Sequence, residues 1–537
     1  MPLRLAPWLA IICLCFTLEM NSAQAQSLAA KIDKLVEAQA GGALNPPATD
    51  AEFVRRLYLD VIGRIPSLAE AQAFLADKGA DKRTKLVEQL FASPEFPRRQ
   101  QELLNQMLME RRGEDAEWNK FLAWACETNQ PWDKIVRAIL DPDADNEQAR
   151  GAAYFMTNRL SKVGQQETDY PGLTRDVGRM FMGVDLQCAQ CHNHLFIEDY
   201  KQVDFQGLFT VFLNTTIRSD VKFPAVSEKL MTKKADFQSV FDKQPMTVGP
   251  RVPGMKEVSI PEFAKGEEYS VKPDPKTKVI GVPKFSPLEE VATQLASADN
   301  RPFAENLANR LWYIMLGRGV VHPLDLRHGA NKASHPELMK LLTDEVVARK
   351  YDMKSLLKEI ALTKTYARSS TRTGDAAIPE DRYRVGLEKP LWAEQLLWSM
   401  LTAVGSGKAG VDPRQAEKID DLRKKFITAF ANPPKEPEID FAPSVKASLF
   451  LMNDSSILEL LDDKEGSLVN RLRKLDDPNK IIDEAYLAIL SRAPSDEERA
   501  DSAAFLKSSG LDGDKKIRTT RYFAWALLAS TEFCLNH

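Results

Sequence analysis

Apolar residues recur at three- and four-residue spacing along most of the chain, which is the pattern of amphipathic helices. The spacing is clear at Phe53, Leu57 and Val61. Prolines separate the helical stretches, because proline disfavours the interior of a helix; they include Pro46, Pro47, Pro66, Pro94 and Pro131. The pattern predicts a helical domain over residues 26–215.

The helical pattern stops near residue 216 and returns near residue 286. Between these points proline and glycine accumulate, and short alternating runs such as residues 257–260, EVSI, favour strands. We interpret residues 216–285 as an irregular connector with short strands, and residues 286–537 as a second helical domain. The expected fold class is therefore mainly α, with two helical domains joined by a Pro/Gly-rich connector with short β-strands.

Two segments at opposite ends of the chain resemble each other. Residues 58–67 are YLDVIGRIPS and residues 486–495 are YLAILSRAPS. Each unit also closes on a similar run, LFASPEF at residues 90–96 and LLASTEF at residues 527–533. The sequence pattern of each unit predicts a helix, a turn marked by proline, a second helix, and a third helix that ends at an aromatic residue. We expect the two units to pack on each other.

The composition excludes some classes of protein. Hydrophobic residues make up 44% and charged residues 28% of the 537 positions, which is ordinary for a globular protein with buried cores. The formal net charge is -4. A general nucleic-acid binder needs a basic face, so no nucleic-acid partner is expected.

Residues 1–25 have the pattern of a secretory signal peptide. Arg4 gives a positive start, residues 9–18 are apolar, and residues 23–25, AQA, form a cleavage site. The apolar run is too short for a spanning helix, which needs ~20 residues. We therefore expect an exported protein, periplasmic or extracellular, whose mature chain has no transmembrane segment.

The candidate chemistry lies in the run from Cys188 to His192, CAQCH, which has the attachment sequence of a c-type haem. Cys188 and Cys191 would form thioethers with the haem vinyl groups, and His192 would be the proximal iron ligand. Covalent attachment takes place outside the cytoplasm, in agreement with a signal peptide. The leading hypothesis is an exported redox-associated protein, an electron carrier with one covalent c-type haem, whose partner is an envelope redox protein.

Bound haem needs apolar surroundings, and nearby candidates in the sequence are Phe181, Leu195, Phe196 and Phe205. Two further expectations concern residues outside the run. Cys126 follows apolar residues and is expected in the core. Ser334 is expected to cap a helix that starts at Pro336, which would make His335 a turn residue.

Two alternatives to haem remain open. Cys188 and Cys191 form a good zinc half-site, to which His192 and His194 would add imidazole ligands. Further zinc ligands would come from the acidic and histidine residues Asp185, Glu198, Asp199 and His335. In an oxidising compartment the two thiols would instead form a disulfide. Either alternative describes a non-catalytic envelope binding or scaffold protein. The sequence has no catalytic constellation that would assign a reaction.

The motifs resemble two paired planctomycete domains of unknown function. Residues 50–214 resemble domain number 1549, described as cytochrome-like, through the runs at 58–66, 129–133 and 181–194. Residues 301–533 resemble its partner, domain number 1553, through the runs at 309–312, 316–319, 334–338, 351–356 and 448–453. The resemblance implies an exported protein whose special site is the run from Cys188 to His194. It implies no particular reaction.

Overall fold

The computed structural model describes residues 26–162, 164–241, 243–372, 378–405, 413–437 and 445–537. The predicted signal peptide lies outside these residues. The helical pattern of the first part of the chain is confirmed. Its helices are α1 (Leu28–Gln39), α2 (Asp50–Ile62), α3 (Leu68–Ala76), α4 (Lys82–Phe91), α5 (Glu95–Met109), α6 (Ala116–Glu127), α7 (Trp132–Leu140), α8 (Tyr154–Leu160), α9 (Tyr170–Met182) and α10 (Gln202–Leu213), with short 3₁₀ helices at Arg150–Ala153 and Cys188–Gln190.

The connector contains three antiparallel strand pairs, β1–β2, β3–β4 and β5–β6. The strands are β1 (Thr215–Ile217), β2 (Val226–Glu228), β3 (Ala235–Gln238), β4 (Pro245–Val248), β5 (Tyr269–Val271) and β6 (Val282–Pro283). The strand expected at residues 257–260 is wrong, because this run has no partner strand. Val258 only donates its N–H to the carbonyl of Pro250 at 2.7 Å.

Helices return after the connector, as the sequence predicts. They are α11 (Pro287–Leu295), α12 (Arg301–Leu316), α13 (Pro336–Ala348), α14 (Met353–Ala361), α15 (Ala393–Val404), α16 (Pro413–Phe430), α17 (Val445–Asn453), α18 (Ser455–Leu460), α19 (Leu468–Arg473), α20 (Pro478–Leu490), α21 (Asp496–Ser509) and α22 (Gly513–Leu528). A 3₁₀ helix spans Glu380–Arg382, and β7 (Lys389–Pro390) pairs with β8 (Leu535–Asn536). In the part of the chain that the structure describes, no helix is both long enough and apolar enough to cross a membrane.

The buried apolar side chains form two clusters that do not follow the two halves of the sequence. The first cluster runs from Leu28 to Tyr383, so it combines α1–α10 with α11–α14. The second contains side chains from Leu391 to Phe533, together with Leu59 and Ile65 from the start of the chain. The run from Cys188 to His192 therefore projects from a core to which both sides of the connector contribute.

The first of the two similar units is held by one arginine. Arg64 donates to Glu70 at 2.8 Å and to Glu95 at 2.6 Å. Ser67 caps α3 and forms a reciprocal capping box with Glu70. The Arg64 guanidinium also lies 5.4 Å from the ring centre of Tyr58. The arginine thus joins the end of α2 to the starts of α3 and α5.

The second unit repeats this arrangement residue for residue. Arg492 donates to Glu498 and Glu532 at 2.6 Å each, and Ser495 forms the capping box with Glu498. The Arg492 guanidinium lies 5.5 Å from the ring centre of Tyr486. The sequence similarity therefore reflects a repeated local structure. The two units also pack on each other, because α3 contacts α20 and α2 contacts β8.

We expect Arg64→Met and Arg492→Met to destabilise the protein by about 1–3 kcal/mol each, since each removes several charge-assisted hydrogen bonds. Arg492 is the more exposed of the two, so its replacement should cost less. Urea unfolding followed by circular dichroism measures both. Unchanged unfolding midpoints in both variants would contradict the shared role.

The effect of Arg492→Met should depend on pH. Hydrogen bonding to Arg492 lowers the pKa of Glu498 from its ordinary value to about 2. A carboxyl group with a lowered pKa in the folded state contributes stability above its unfolded pKa and loses it in acid. The difference between wild type and variant should therefore shrink as the pH falls from about 4.5 towards 2. A constant difference over this range would contradict the assignment.

Candidate functional site

The Cys/His run follows α9, and a glycine turns the chain into it. α9 ends at Gly183, which adopts a left-handed conformation with φ of 67°. A Cβ at this position would lie 2.8 Å from Asn306 Oδ1. Asn306 on α12 donates to the carbonyl of Met180 at 2.8 Å, and Arg327 N donates to the carbonyl of Gly183 at 2.8 Å. The start of the run is therefore fixed against the helices that follow the connector.

Cys188 and Cys191 lie on one tight turn. Cys188 begins a 3₁₀ helix, and its carbonyl accepts from Cys191 N at 3.3 Å and from His192 N at 3.4 Å. Both thiols are free and exposed. Cys126 is a core residue, as expected, and burial raises the pKa of its thiol to about 12. Cys188 and Cys191 are thus accessible to reagents and cofactors, whereas the buried thiol of Cys126 is not.

Three elements hold the turn, two through its backbone and one through the side chain of Gln190. Gln206 on α10 donates to the carbonyl of Gln190 at 3.1 Å, and Arg175 on α9 donates to Gln190 Oε1 at 2.7 Å. Val240 N, between β3 and β4, donates to the carbonyl of Cys191 at 3.2 Å. These contacts fix the turn without using either thiol.

His192 has a defined tautomer. Its Nδ1 lies 2.7 Å from the carbonyl oxygen of Asn193. Because a carbonyl oxygen only accepts hydrogen bonds, Nδ1 carries the proton, and the neutral ring presents a lone pair at Nε2. The ring packs against Phe241, with 4.6 Å between the ring centres. His192 therefore has the tautomer of a histidine that binds a metal through Nε2.

His194 has the opposite tautomer. Its Nδ1 accepts from the backbone N–H groups of Phe196 at 3.1 Å and Ile197 at 3.0 Å. In the neutral ring Nε2 then carries the proton, so neither nitrogen offers a free lone pair. The ring packs edge-on against Tyr200, with 5.9 Å between centres. His194 thus shapes the loop after the turn, and it would have to break these bonds to bind a metal.

The other proposed zinc ligands are not gathered around the two thiols in the structure. Asp185 accepts from Gln187 N at 2.9 Å, and Asp199 accepts from Gly329 N. Glu198 is exposed, while His335 is fully buried and packs against Tyr383. Among the residues that the structure describes, no group of three or more histidine, cysteine, aspartate or glutamate side chains is arranged to hold a metal ion.

The apolar candidates near the run divide into two groups. Phe181 and Phe205 are buried in the core. Leu195 and Phe196 are 65% and 87% exposed, and Val240 and Phe241 are 56% and 66% exposed. We call these last four residues the apolar rim. Phe241 contacts the ring of His192 and Phe196 that of His194, so both pairs lie beside the Cys/His run. Exposed large apolar side chains close to reactive groups are typical of a ligand or partner site.

The contribution of the connector to the site was not predictable from the sequence. Val240 and Phe241 lie about fifty positions after Cys191, and their own run has no motif that points to the site. A cleft of about 640 Å³ that Asp199, Arg327 and His328 help to line was not predictable either. The ring of Tyr200 lies between those of His194 and His328, at 5.9 and 5.6 Å between centres. The loop after the turn thus reaches the wall of this cleft.

Comparison with known proteins identifies two domains. Residues 31–217 match the family model PSCyt2, a protein of unknown function (DUF1549). Residues 289–429 match the family model PSD1, a protein of unknown function (DUF1553). Both matches agree with the domains that the sequence motifs resemble, and the first includes the whole Cys/His run. The chain matched no curated protein and no solved structure.

Proposed function

We propose that this chain, which belongs to the proteins that pair a DUF1549 domain with a DUF1553 domain, is an exported electron carrier with one covalent c-type haem. The observation that carries the proposal is the state of His192. Its Nδ1 donates to a backbone carbonyl, which leaves the Nε2 lone pair for an iron atom. Two free, exposed thiols lie on the turn that immediately precedes it.

The residues present are suited to holding haem. Cys188 and Cys191 would form the two thioether bonds, and His192 would be the proximal ligand. The hydrogen bond from Nδ1 orients the ring and increases the basicity of the nitrogen that binds iron. His194 is less suited to this role, because two backbone N–H groups occupy its Nδ1.

The apolar rim supplies the surface that a porphyrin would cover. Phe241 already packs against the ring of His192, and Leu195 and Phe196 follow His194 directly. Exposed apolar area is unfavourable in water, and burying it contributes about 25 cal/mol per Å². This apolar area would therefore increase the affinity for haem. It would also shield part of the bound haem from water.

Bound haem would supply one-electron transfer at a redox-active iron. The remaining tasks belong to the chain. Gln206, Arg175 and Val240 hold the turn in place, so that the proximal ligand moves little between redox states. The exposed position of the turn would let an envelope redox protein approach closely. The distal ligand is not part of the proposal.

The test is expression of the full chain with a c-haem maturation system. We expect a band that stains for haem on a denaturing gel, since thioether bonds survive denaturation. A pyridine haemochrome spectrum should give one haem per chain. A folded product that carries no covalent haem, although a control cytochrome matures in the same cells, would refute the proposal.

The same preparation tests the scaffold alternative. A zinc site predicts one zinc per chain by metal analysis, together with two thiols that react only after chelation. A disulfide predicts two thiols that react only after reduction. Free thiols that react at once would agree with the structure, in which Cys188 and Cys191 are unpaired. Each outcome differs from haem attachment, which leaves neither thiol reactive.

A further inference from the structure

Arg99 on α5 is a buried cation without a hydrogen bond. Its side chain is 5% exposed, and its Nε and Nη1 atoms are fully buried without a hydrogen-bond partner. The nearest carboxylate oxygen is Glu102 Oε2, at 4.0 Å from Nη1, which is too long for a hydrogen bond. The guanidinium instead lies 5.0 Å from the ring centre of Trp392. Arg99 is therefore held by an ion pair at long range and an aromatic contact, and Nε and Nη1 make no hydrogen bond.

Several other buried arginines keep one nitrogen without a partner, as Arg55 keeps Nε, but each makes hydrogen bonds through another nitrogen. Arg99 differs because two of its nitrogens lack a partner. Arg159 donates to Asp176 at 2.7 Å, to the carbonyl of Leu108 at 2.8 Å and to that of Phe155 at 3.1 Å. A buried charge without partners is costly, and folded proteins rarely keep one without a reason. A ligand that binds the guanidinium would be such a reason.

Arg99 lines a cavity of about 120 Å³. Because Nε and Nη1 are fully buried, Nη2 is the one guanidinium nitrogen that could reach a ligand in this cavity. A second cavity, of about 60 Å³, adjoins the first and shares part of its lining. The side chains common to both are Leu103, Tyr313, Ile314 and Trp392. The combined space has a cationic end and a largely apolar middle, and it exceeds what single waters need.

The local charge favours an anion at the cationic end. Asp60 also lines the first cavity, but its carboxylate is saturated. It accepts from Lys389 at 2.6 Å, Asn536 at 2.7 Å and Tyr366 at 2.9 Å. The other carboxylate of the lining, Glu388, is exposed to solvent, which screens its charge. Near Arg99, the buried carboxylate of Glu102 supplies an opposite charge at 4.0 Å but makes no hydrogen bond to the guanidinium. The charge of Arg99 is therefore balanced only at this longer distance.

We infer that this cavity binds an organic anion. Its oxyanion group, a carboxylate or a phosphate or sulfate ester, would accept hydrogen bonds from the Arg99 guanidinium. Its body would lie against the faces of Trp392 and Tyr313 in the shared part of the two cavities. Nη2 would donate to one oxygen of that group, because hydrogen bonds between a guanidinium and an oxyanion are strengthened by their opposite charges. The site is separate from the Cys/His run and does not depend on haem.

The test is a thermal-shift and calorimetric titration of the full chain at constant ionic strength. The probes are benzoate, acetate, phosphate and sulfate, with chloride as the reference salt. We expect a saturable rise in Tm, because a ligand that binds only the folded state stabilises it. Benzoate should bind more tightly than acetate if the aromatic wall takes part, and phosphate and sulfate distinguish the ester classes from the carboxylate.

Two variants of α5 distinguish binding of the anion by Arg99 from a general effect of removing one positive charge. Arg99→Met should weaken binding of the best probe by about ten- to a hundredfold. Without a probe it should lower Tm, since it removes the cation that lies 4.0 Å from the buried carboxylate of Glu102. Arg98→Met is the matched control, because Arg98 packs on Trp398 and does not line the cavity. It should leave probe binding unchanged.

A third variant keeps the inference testable if Arg99→Met fails to fold. Leu103→Phe narrows both cavities and leaves Arg99 in place. It should weaken benzoate more than phosphate, because the aromatic body needs the shared space. No saturable response in the wild-type chain, or unchanged binding in both Arg99→Met and Leu103→Phe, would overturn the inference and leave ordered water as the occupant.

Discussion

Arg55→Met is expected to cause the largest loss of stability among single substitutions of the chain's charged residues that we consider. Arg55 on α2 is completely buried and reaches the opposite end of the chain. It donates to the carbonyls of Ile489 at 3.1 Å and Phe533 at 3.0 Å, with longer bonds to those of Glu532 and Leu535. Methionine fills similar space but leaves these carbonyls without a donor.

The size of the effect follows from the two carbonyls that are fully buried. Leaving a buried acceptor unsatisfied costs about 1–3 kcal/mol, so Ile489 and Phe533 together predict a loss of about 2–6 kcal/mol. Burial lowers the pKa of Arg55 to about 10, so the side chain is still a cation at neutral pH. The carbonyl of Ile489 lies at the end of α20, where a helix favours positive charge.

Urea unfolding and limited proteolysis measure this effect. We expect a lower unfolding midpoint for Arg55→Met and earlier cleavage within α20–α22, because the two similar units separate first. Arg518→Met is the matched control, since Arg518 is an exposed residue of α22. A midpoint for Arg55→Met equal to that of the control would show that the contact between the two ends contributes little.

The repeated unit shows which features of the fold can be predicted from local sequence patterns. Helix spacing, prolines and capping motifs predict the elements around Arg64 and Arg492, because each of these signals acts within a few residues. The role of Arg55 was not predictable in this way, because its partners lie more than 400 positions away. The sequence predicted that the units meet, but not which side chain joins them.

The same limit applies to the helix that starts at Pro336. Its start was predicted correctly, but the expected cap by Ser334 is wrong. Ser334 Oγ donates to the carbonyl of Val320 at 3.2 Å and lies 3.0 Å from His335 Nδ1. His335 lies in the bend before the helix, as expected of a turn residue, but its ring is fully buried against Tyr383. Both side chains make tertiary contacts, and such contacts cannot be predicted from the local sequence pattern.

The candidate site was predictable in its reactive groups and not in its surroundings. The spacing of Cys188, Cys191 and His192 marks them by chemistry alone. The tautomers that distinguish His192 from His194 depend on backbone atoms of the folded loop. The exposed side chain of Phe241 comes from the connector, whose composition predicts only an irregular segment and no site residue. Arg99 carried no signal at all, because its lack of partners exists only in the fold.

The double variant Cys188→Ser, Cys191→Ser is expected to lose covalent haem completely, since serine cannot form the thioether. The stained band on a denaturing gel should disappear while the protein remains folded, because both thiols are exposed and make no contact that supports the core. Each single variant should keep one thioether and one free vinyl group. Its haemochrome band should therefore move to longer wavelength than that of the wild type.

The histidine pair supplies the matched comparison. His192→Gln should lose the proximal ligand, so that any attached haem responds to added imidazole in its absorption spectrum. His194→Gln should keep the stain and the spectrum, because its ring binds backbone N–H groups through Nδ1. Cys534→Ser, at a half-buried thiol elsewhere in the chain, should also keep both. Haem that survives in the double thiol variant, or that depends on His194 rather than His192, would contradict the assignment of ligands.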